Sequence, residues 1–343
     1  MKMKKLLSMA LALALVLSLA ACGGKKDDGA KDDTTKDAVT TIDDTAKDDS
    51  AKDDAAPAED DSAKTAEMVD RAGNTFTMPE KVEKVISMAP SITQTLVDLG
   101  CKDMLIAVDA NTNTLVEGMS DLPAFDMMTP DVEKLAEMAP DVVLVSGLSM
   151  WDGSEPFKPL QDMGITFVVI PTAATIEDIY KDITFIGSIV GKSDEAEKIN
   201  ADLKAKLDEI AEKAAAIPED QSKTVYFEIA SAPNFYSTGA NTYMDEMISL
   251  VGGKNVLADQ EGWISMSAEN IAAADPDVIF TNANYIPDAV GDILAQDGWS
   301  EVKAIANKDV YYIDNMSSSL PNENIILALE QMGQALYPDV FTK

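Results

Sequence analysis

The chain has 343 residues, 60 of them acidic against 27 basic, with a formal net charge of −33 and no histidine. A surface this acidic repels nucleic acid and anionic membranes. The missing histidine removes Ser-His-Asp and Cys-His nucleophiles and His-ligated zinc or manganese from consideration, and nothing in the sequence singles out an enzyme, a resident metal or a cofactor.

Lys2, Lys4 and Lys5 precede an apolar run at residues 6–19, too short for an ordinary membrane span. The run closes on Leu19-Ala20-Ala21-Cys22 and Gly23-Gly24, which resembles the lipobox of bacterial lipoproteins. That resemblance implies a signal peptide over residues 1–21, cleavage before Cys22 and a diacylglyceryl thioether on the Cys22 sulfur, two acyl chains being enough for stable anchoring. Cleavage removes three lysines and no acid, leaving −36. Beyond Cys22 the chain is Lys, Asp, Ala and Thr, with K-D-D recurring at Lys26, Lys31, Lys47 and Lys52. Only Val39 and Ile42 are sizeable apolar groups there, so residues 22–66 are expected to be a disordered acidic tether, reaching roughly 35–40 Å as a flexible coil.

The remaining residues alternate strand and helix patterns, the sign of βα units and parallel sheets. Strands are expected at 82–88 and 105–108, with a helix at 92–99 between them that Gly100 stops, and an irregular polar segment at 109–123. Cys101, left without a partner once Cys22 is lipidated, reads as a small buried hydrophobe. A strand at 141–146, a helical piece at 157–163, a strand at 166–170 and a helix at 176–189 follow. Next comes the longest helix, from Ser193 to about 217, with Ser193 as N-cap and Ala196, Ile199, Leu203, Leu207, Ile210, Ala214 and Ile217 at intervals of three and four. Strands at 224–229 and 277–281 lie beyond it. The expected division is an N-terminal α/β lobe at 67–192, an inter-lobe helix at 193–217 and a C-terminal α/β lobe at 218–343.

One unit is written twice, 136 positions apart: T-P-D-V-E-K-L-A-E-M-A-P-D-V-V-L-V from Thr129 and S-M-S-A-E-N-I-A-A-A-D-P-D-V-I-F-T from Ser265. Each copy has a hydroxyl residue at the expected N-cap (Thr129, Ser265), a Glu four residues on (Glu133, Glu269), a short amphipathic helix, a Pro (Pro140, Pro276) and a β-branched run. Two similar lobes facing one another would form a cleft at the carboxyl ends of their strands.

With these features in view, residues 81–343 resemble the periplasmic-binding-protein family for iron-siderophore complexes, haem and cobalamin, the substrate receptors of ATP-driven importers. The motifs are V-I-S-M-A-P-S-I-T-Q-T-L-V-D-L-G from Val85, D-V-E-K-L-A-E-M-A-P-D-V-V-L from Asp131, L-V-G-G-K-N-V from Leu250, S-A-E-N-I-A-A-A-D-P-D-V-I-F from Ser267 and A-L-E-Q-M-G-Q-A-L-Y-P from Ala328. The resemblance implies the class III fold: two Rossmann-like lobes with parallel sheets joined by one long α-helix, the ligand between them. It also implies a monomeric, extracytoplasmic, lipid-anchored receptor that touches the membrane only through Cys22. Its partners would be an ABC permease with its ATPase subunits, docked through Glu133 on one lobe and Glu269 on the other.

Arg71 is the sole arginine against 26 lysines and precedes the expected first strand, so the cleft is expected to lack the cations that strongly anionic chelates need. The segment Ser319-Leu320-Pro321-Asn322-Glu323 also lacks the basic residue that the family often carries there. Aromatic candidates for the cleft are Trp151, Tyr236, Tyr243, Trp263 and Tyr285, of which two or three are expected to touch ligand. Met88 and the amides Asn111, Asn113, Asn282 and Asn284 complete the candidate set. Such a cleft suits a neutral bulky chelate, a ferric hydroxamate first and a corrinoid as the alternative, with haem disfavoured by its propionates. A tethered surface protein that binds a protein or wall component is the alternative from another class, which a large flat apolar patch in place of a cleft would favour.

Overall fold

Strands with unbroken β-branched runs need cover on both faces, and the two main parallel sheets of this molecule are covered. The computed structural model describes residues 67–341, so the expected signal peptide (1–21), Cys22 and the tether (22–66) lie outside the described residues. The described chain opens with an antiparallel hairpin, β1 (Glu67–Val69) and β2 (Thr75–Thr77). Then β3 (Val85–Met88), α1 (Pro90–Asp98), β4 (Leu105–Asp109), α2 (Thr112–Leu115), β5 (Ala124–Phe125), α3 (Val132–Glu137), β6 (Val142–Ser146), α4 (Pro159–Asp162), β7 (Thr166–Ile170) and α5 (Ile176–Ile189) alternate. The strands after the hairpin form one parallel sheet in the order β5-β4-β3-β6-β7.

Helix α6 (Ser193–Ala215) leads to a second series: β8 (Thr224–Glu228), β9 (Tyr236–Thr238), α7 (Tyr243–Leu250), β10 (Lys254–Asn255), β11 (Trp263–Ser265), α8 (Ala268–Ala274) and β12 (Val278–Thr281). It ends with α9 (Ala289–Leu294), α10 (Lys303–Asn307), β13 (Val310–Tyr312), α11 (Asn315–Ser319), α12 (Ile325–Leu336) and α13 (Pro338–Phe341). Its main sheet is again parallel, in the order β10-β8-β12-β13, and β9 pairs with β11 as an antiparallel ribbon beside it. In each main sheet the chain reverses its direction of winding at a central strand, β3 in the first lobe and β8 in the second. Crevices at such reversals are where open α/β sheets bind ligands.

The two copies of the repeated unit fold alike. Their helices start two residues later than expected, capped by Asp131 and Ser267, whose side chains accept from the amides of Lys134 and Asn270. Each then passes through a left-handed residue just before its proline, Ala139 (φ 48°) and Asp275 (φ 47°). The Asp after each proline bonds the start of the neighbouring central strand. Asp141 accepts from the amides of Glu83 and Lys84 at 2.7 and 2.8 Å, and Asp277 from the amide and hydroxyl of Thr224 at 2.9 and 2.8 Å.

Helix α6 begins at Ser193, with Lys192 at the N-cap and no side-chain cap, so Ser193 is the first helical residue and not its cap. It packs on α5 of the first lobe and on α7, α12 and α13 of the second. Its buried Ala196, Leu203, Leu207 and Ile210 belong to one hydrophobic core that runs from Val85 and Leu96 through Ile183 and Ile186 to Val225, Phe227 and Leu329. Two smaller clusters cover the outer faces, one around Ile86, Met88 and Val143, the other around Tyr226, Ile279 and Trp299. A polar bond also crosses between the lobes, where the Ile176 amide at the start of α5 donates to Glu246 of α7 at 2.7 Å.

Candidate functional site

The carboxyl ends of the first sheet open onto a cavity of about 270 Å³. Ala89-Pro90 after β3, Asn111 after β4, Ser146 at the end of β6 and Pro171-Thr172 after β7 form one wall. The facing wall comes from the second lobe, Ser319-Leu320-Pro321 between α11 and α12, and Ile183 and Ile186 of α5 lie at its base. A smaller space of about 130 Å³ continues from it, sharing Thr172, Ser319 and Pro321 and reaching Ile229, Met244 and Trp263. Together they make an inter-lobe cleft with mostly apolar walls.

One charged side chain lines this cleft, Asp182 of α5. It is buried, and Arg71 Nε donates to its Oδ1 at 2.7 Å from the turn of the β1–β2 hairpin. Burial pushes the Asp182 carboxyl up to about 6 against the opposing pull of Arg71. Arg71 also reaches Asp178 at 3.4 Å, so the chain's single guanidinium is committed to two carboxylates, Asp182 in the cleft lining and Asp178 outside it. No Lys or Arg lines either part of the cleft.

The structure sorts the sequence-derived candidates. Asn111 lines the main cavity, and Trp263 the smaller one, its ring edge-on to Tyr243 with centroids 5.8 Å apart. Tyr243 lies in the same wall but is buried, its hydroxyl donating to the Ser318 carbonyl at 3.0 Å, so it supports the wall and keeps its polar end inside. Three candidates are placed away from the cleft surface. Met88 is wholly buried in the outer cluster of the first lobe, because its strand position faces that side of the sheet. Asn113 donates to the carbonyls of Met119 and Leu122, which makes it a tie for its own loop. Asn282 is wholly buried and donates to the hydroxyls of Ser318 and Ser319, both at 2.9 Å, so it props the Ser319 wall from behind.

Trp151, Tyr236, Asn284 and Tyr285 are exposed and outside the lining of both spaces. Trp151, 71% exposed, follows β6, and Tyr285 follows β12 with its hydroxyl accepting from the Ser231 amide at 3.0 Å. Sequence reasoning passed over Leu115, Met127, Leu148, Thr172 and Leu320, all of which line the main cavity. The signal for Pro171-Thr172 was present, since both directly follow the strand at 166–170. Glu133 and Glu269 are exposed on the first turns of α3 and α8, and neither takes part in a hydrogen bond or ion pair among the described residues. Neighbouring Lys134 is instead held by Asp131 at 2.7 Å. Among the described residues no group of three or more Cys, Asp or Glu is arranged to hold a metal ion.

Comparison with known proteins gives a consistent picture. A family model described as periplasmic binding protein matches residues 85–316. An uncharacterised ABC transporter substrate-binding lipoprotein of Bacillus subtilis, YvrC, is 32% identical over 272 residues, 79% of this chain and 85% of the relative. A cobalamin-binding protein of Halobacterium salinarum is 24% identical over 78% of this chain and 73% of its own length. Among solved structures, a possible iron-binding periplasmic solute-binding protein from Staphylococcus epidermidis superposes with a TM-score of 0.66 at 24% identity, covering 75% of this chain and all of that one.

Proposed function

The chain belongs to the periplasmic binding protein family, and from that premise we propose that this substrate-binding protein of an ABC importer captures a bulky metal chelate of no net negative charge. Members of the family bind and deliver cargo and are not enzymes, so the bound chelate is cargo and not a cofactor. The observation that carries the proposal is the cleft itself: its one charge is the Asp182 carboxylate, and the only arginine is spent on Asp178 and Asp182. Ferric catecholates, ferric citrate and the propionates of haem would meet an apolar wall and a carboxyl group with no cation to offset their charge, which a poorly solvated site penalises steeply. A ferric hydroxamate has no such conflict. A corrinoid is the second reading, favoured by the cobalamin-binding relative.

In this reading the protein is held outside the cytoplasm by lipid on Cys22 and is presented to its permease by the exposed carboxylates Glu133 and Glu269. Two charge-assisted contacts, one per lobe, would fix the docking orientation as well as add affinity.

The test is quenching of tryptophan emission in a lipid-free form beginning at Thr65, which contains all of the described residues 67–341. Of the chain's three tryptophans, Trp263 lines the cleft and reports binding, Trp151 is exposed outside its lining, and Trp299 is buried on the outer side of the second lobe. Titrants are a ferric hydroxamate, a ferric catecholate, haemin and cyanocobalamin. Saturable quenching at about micromolar concentration or below is expected with the hydroxamate or the corrinoid. Tightest binding by the catecholate or haemin would refute the charge argument, and no binding by any of the four would refute the chelate reading.

A further inference from the structure

A second cavity, of about 380 Å³, opens at the carboxyl end of β8, the strand at which the second sheet reverses its winding. It shares no lining residue with the inter-lobe cleft. Its most buried polar lining residue is Glu228, the last residue of β8. One carboxyl oxygen of Glu228 accepts from the Ser231 hydroxyl, and the other, Oε2, has no partner. Two residues earlier, on the same face of the strand, the buried Tyr226 hydroxyl is also unpartnered, so neither group supplies the bond the other lacks.

The rest of the lining fits one kind of ligand. Phe235 and Trp299, stacked with centroids 5.6 Å apart, form an aromatic wall with Ile293, and the Trp299 indole is fixed by donation to the Ala268 carbonyl at 3.0 Å. Asp292 and Asp297 are exposed on the same lining, and no Lys or Arg occurs in it. A metal ion does not suit this arrangement, because no three acidic groups among the described residues come close enough together. An organic ammonium does. It needs one strong acceptor at depth, an apolar body to cover its hydrocarbon, and a negative mouth to draw it in.

We propose that this cavity is a second ligand site, taking a small organic cation whose primary ammonium donates to Glu228 Oε2 and whose hydrocarbon part lies on Phe235 and Trp299. Burial holds the Glu228 carboxyl up at about 7 against the Ser231 hydrogen bond, so near neutral pH the empty site keeps much of its glutamate uncharged. An arriving ammonium favours the carboxylate, and the displaced proton leaves to solvent. The other ionisable groups facing Glu228 are Tyr226 and, across the cavity, Asp292 and Asp297.

Calorimetric titration of the protein with benzylamine, n-butylamine and the neutral isostere benzyl alcohol tests the site. Benzylamine or n-butylamine is expected to bind saturably and at least about tenfold tighter than the alcohol. It should also release a proton, read from buffers of different ionisation enthalpy. Glu228→Gln, which keeps the side chain's shape, is expected to cost at least about tenfold in amine affinity and to abolish proton release. Asp292→Asn with Asp297→Asn, both exposed and harmless to folding, should weaken the amine and leave the alcohol unchanged. The proposal is overturned if neither amine is preferred over the alcohol, or if a folded Glu228→Gln protein binds amine as the wild type does. If Glu228→Gln does not fold, an Asp292/Asp297 double variant with unchanged amine preference overturns it instead. Amine binding abolished by a chelate that saturates the inter-lobe cleft would also overturn it, by placing the amine in that cleft.

Discussion

Ala139 and Asp275 occupy the same step of the two repeated units, each in the left-handed region and each followed by a proline. Aspartate tolerates that conformation through local hydrogen bonding, and Asp275 uses its carboxylate to accept from the Lys303 amide at 2.9 Å. Alanine has neither escape, so Ala139 carries a steric cost of about 1–2 kcal/mol. Ala139→Gly is therefore expected to stabilise the protein by about 0.5–1 kcal/mol after the added freedom of the unfolded chain is subtracted, a rise of about 1–3 °C in thermal midpoint. Asp275→Gly, which loses its bond to Lys303, should give no gain. A lower midpoint for Ala139→Gly would show that the turn is not strained. The same scale explains which candidate residues the sequence misplaced. Asn113 and Asn282 look like free amides near strand ends, yet loop carbonyls and the hydroxyls of Ser318 and Ser319 take up their hydrogen bonds. Which way such a side chain turns depends on the path of the loop around it, and no local pattern encodes that path.

The long and strongly patterned elements were legible. The helix at 176–189 and the strand at 166–170 were expected at the residues where they occur, because their apolar runs mark them; the structure adds the Thr175 cap, which the sequence reading had not used. The repeated helices were found but started two residues late, since Asp131 and Ser267 outcompete the earlier hydroxyls as caps. The β1–β2 hairpin and the β9–β11 ribbon went unseen because three-residue strands are too short to show a period. The omission touches the site, for that hairpin brings Arg71 to Asp182. Helices α3 and α8 carry the docking prediction. Replacing Glu133 and Glu269 together by alanine is expected to reduce uptake at least about tenfold while the chelate's dissociation constant, measured by tryptophan quenching, stays unchanged. Normal transport by the double variant would remove both residues from the permease interface.

At the scale of the whole molecule, burial raises four carboxyl groups among the described residues, Asp109, Asp182, Glu228 and Glu323, above their ordinary range. Burial raises Asp182 from 3.8 to about 6 and Glu228 from 4.5 to about 7. Burial first, and then the nearby Asp98 carboxyl, push Glu323 up strongly, and both its oxygens lie out of reach of solvent without a hydrogen-bond partner. Each binds its proton more tightly folded than unfolded, so the stability that it contributes is complete below about pH 4 and is lost as pH rises through its folded value. The cost reaches on the order of 3 kcal/mol each for Asp182 and Glu228. Asp178 and Asp277 act oppositely: hydrogen bonds from Thr175 and Thr224 outweigh their partial burial and hold them low, which confines their effect to below about pH 4. The thermal midpoint should therefore fall by several degrees between about pH 5 and pH 7.5, and Glu228→Gln should flatten that fall. A midpoint that rises across this window would contradict the assignment.

The core that runs unbroken beneath α6 has a further consequence for the work of capture and release. A receptor hinged at a loose linker spends part of its ligand's contact energy on swinging shut, and its empty form must first find the closed shape. On the proposed function, two cleft walls standing on one shared core predict capture at a site already largely assembled, with most of the contact energy kept as grip. Release would then call for a force applied from outside, through the two lobes at once.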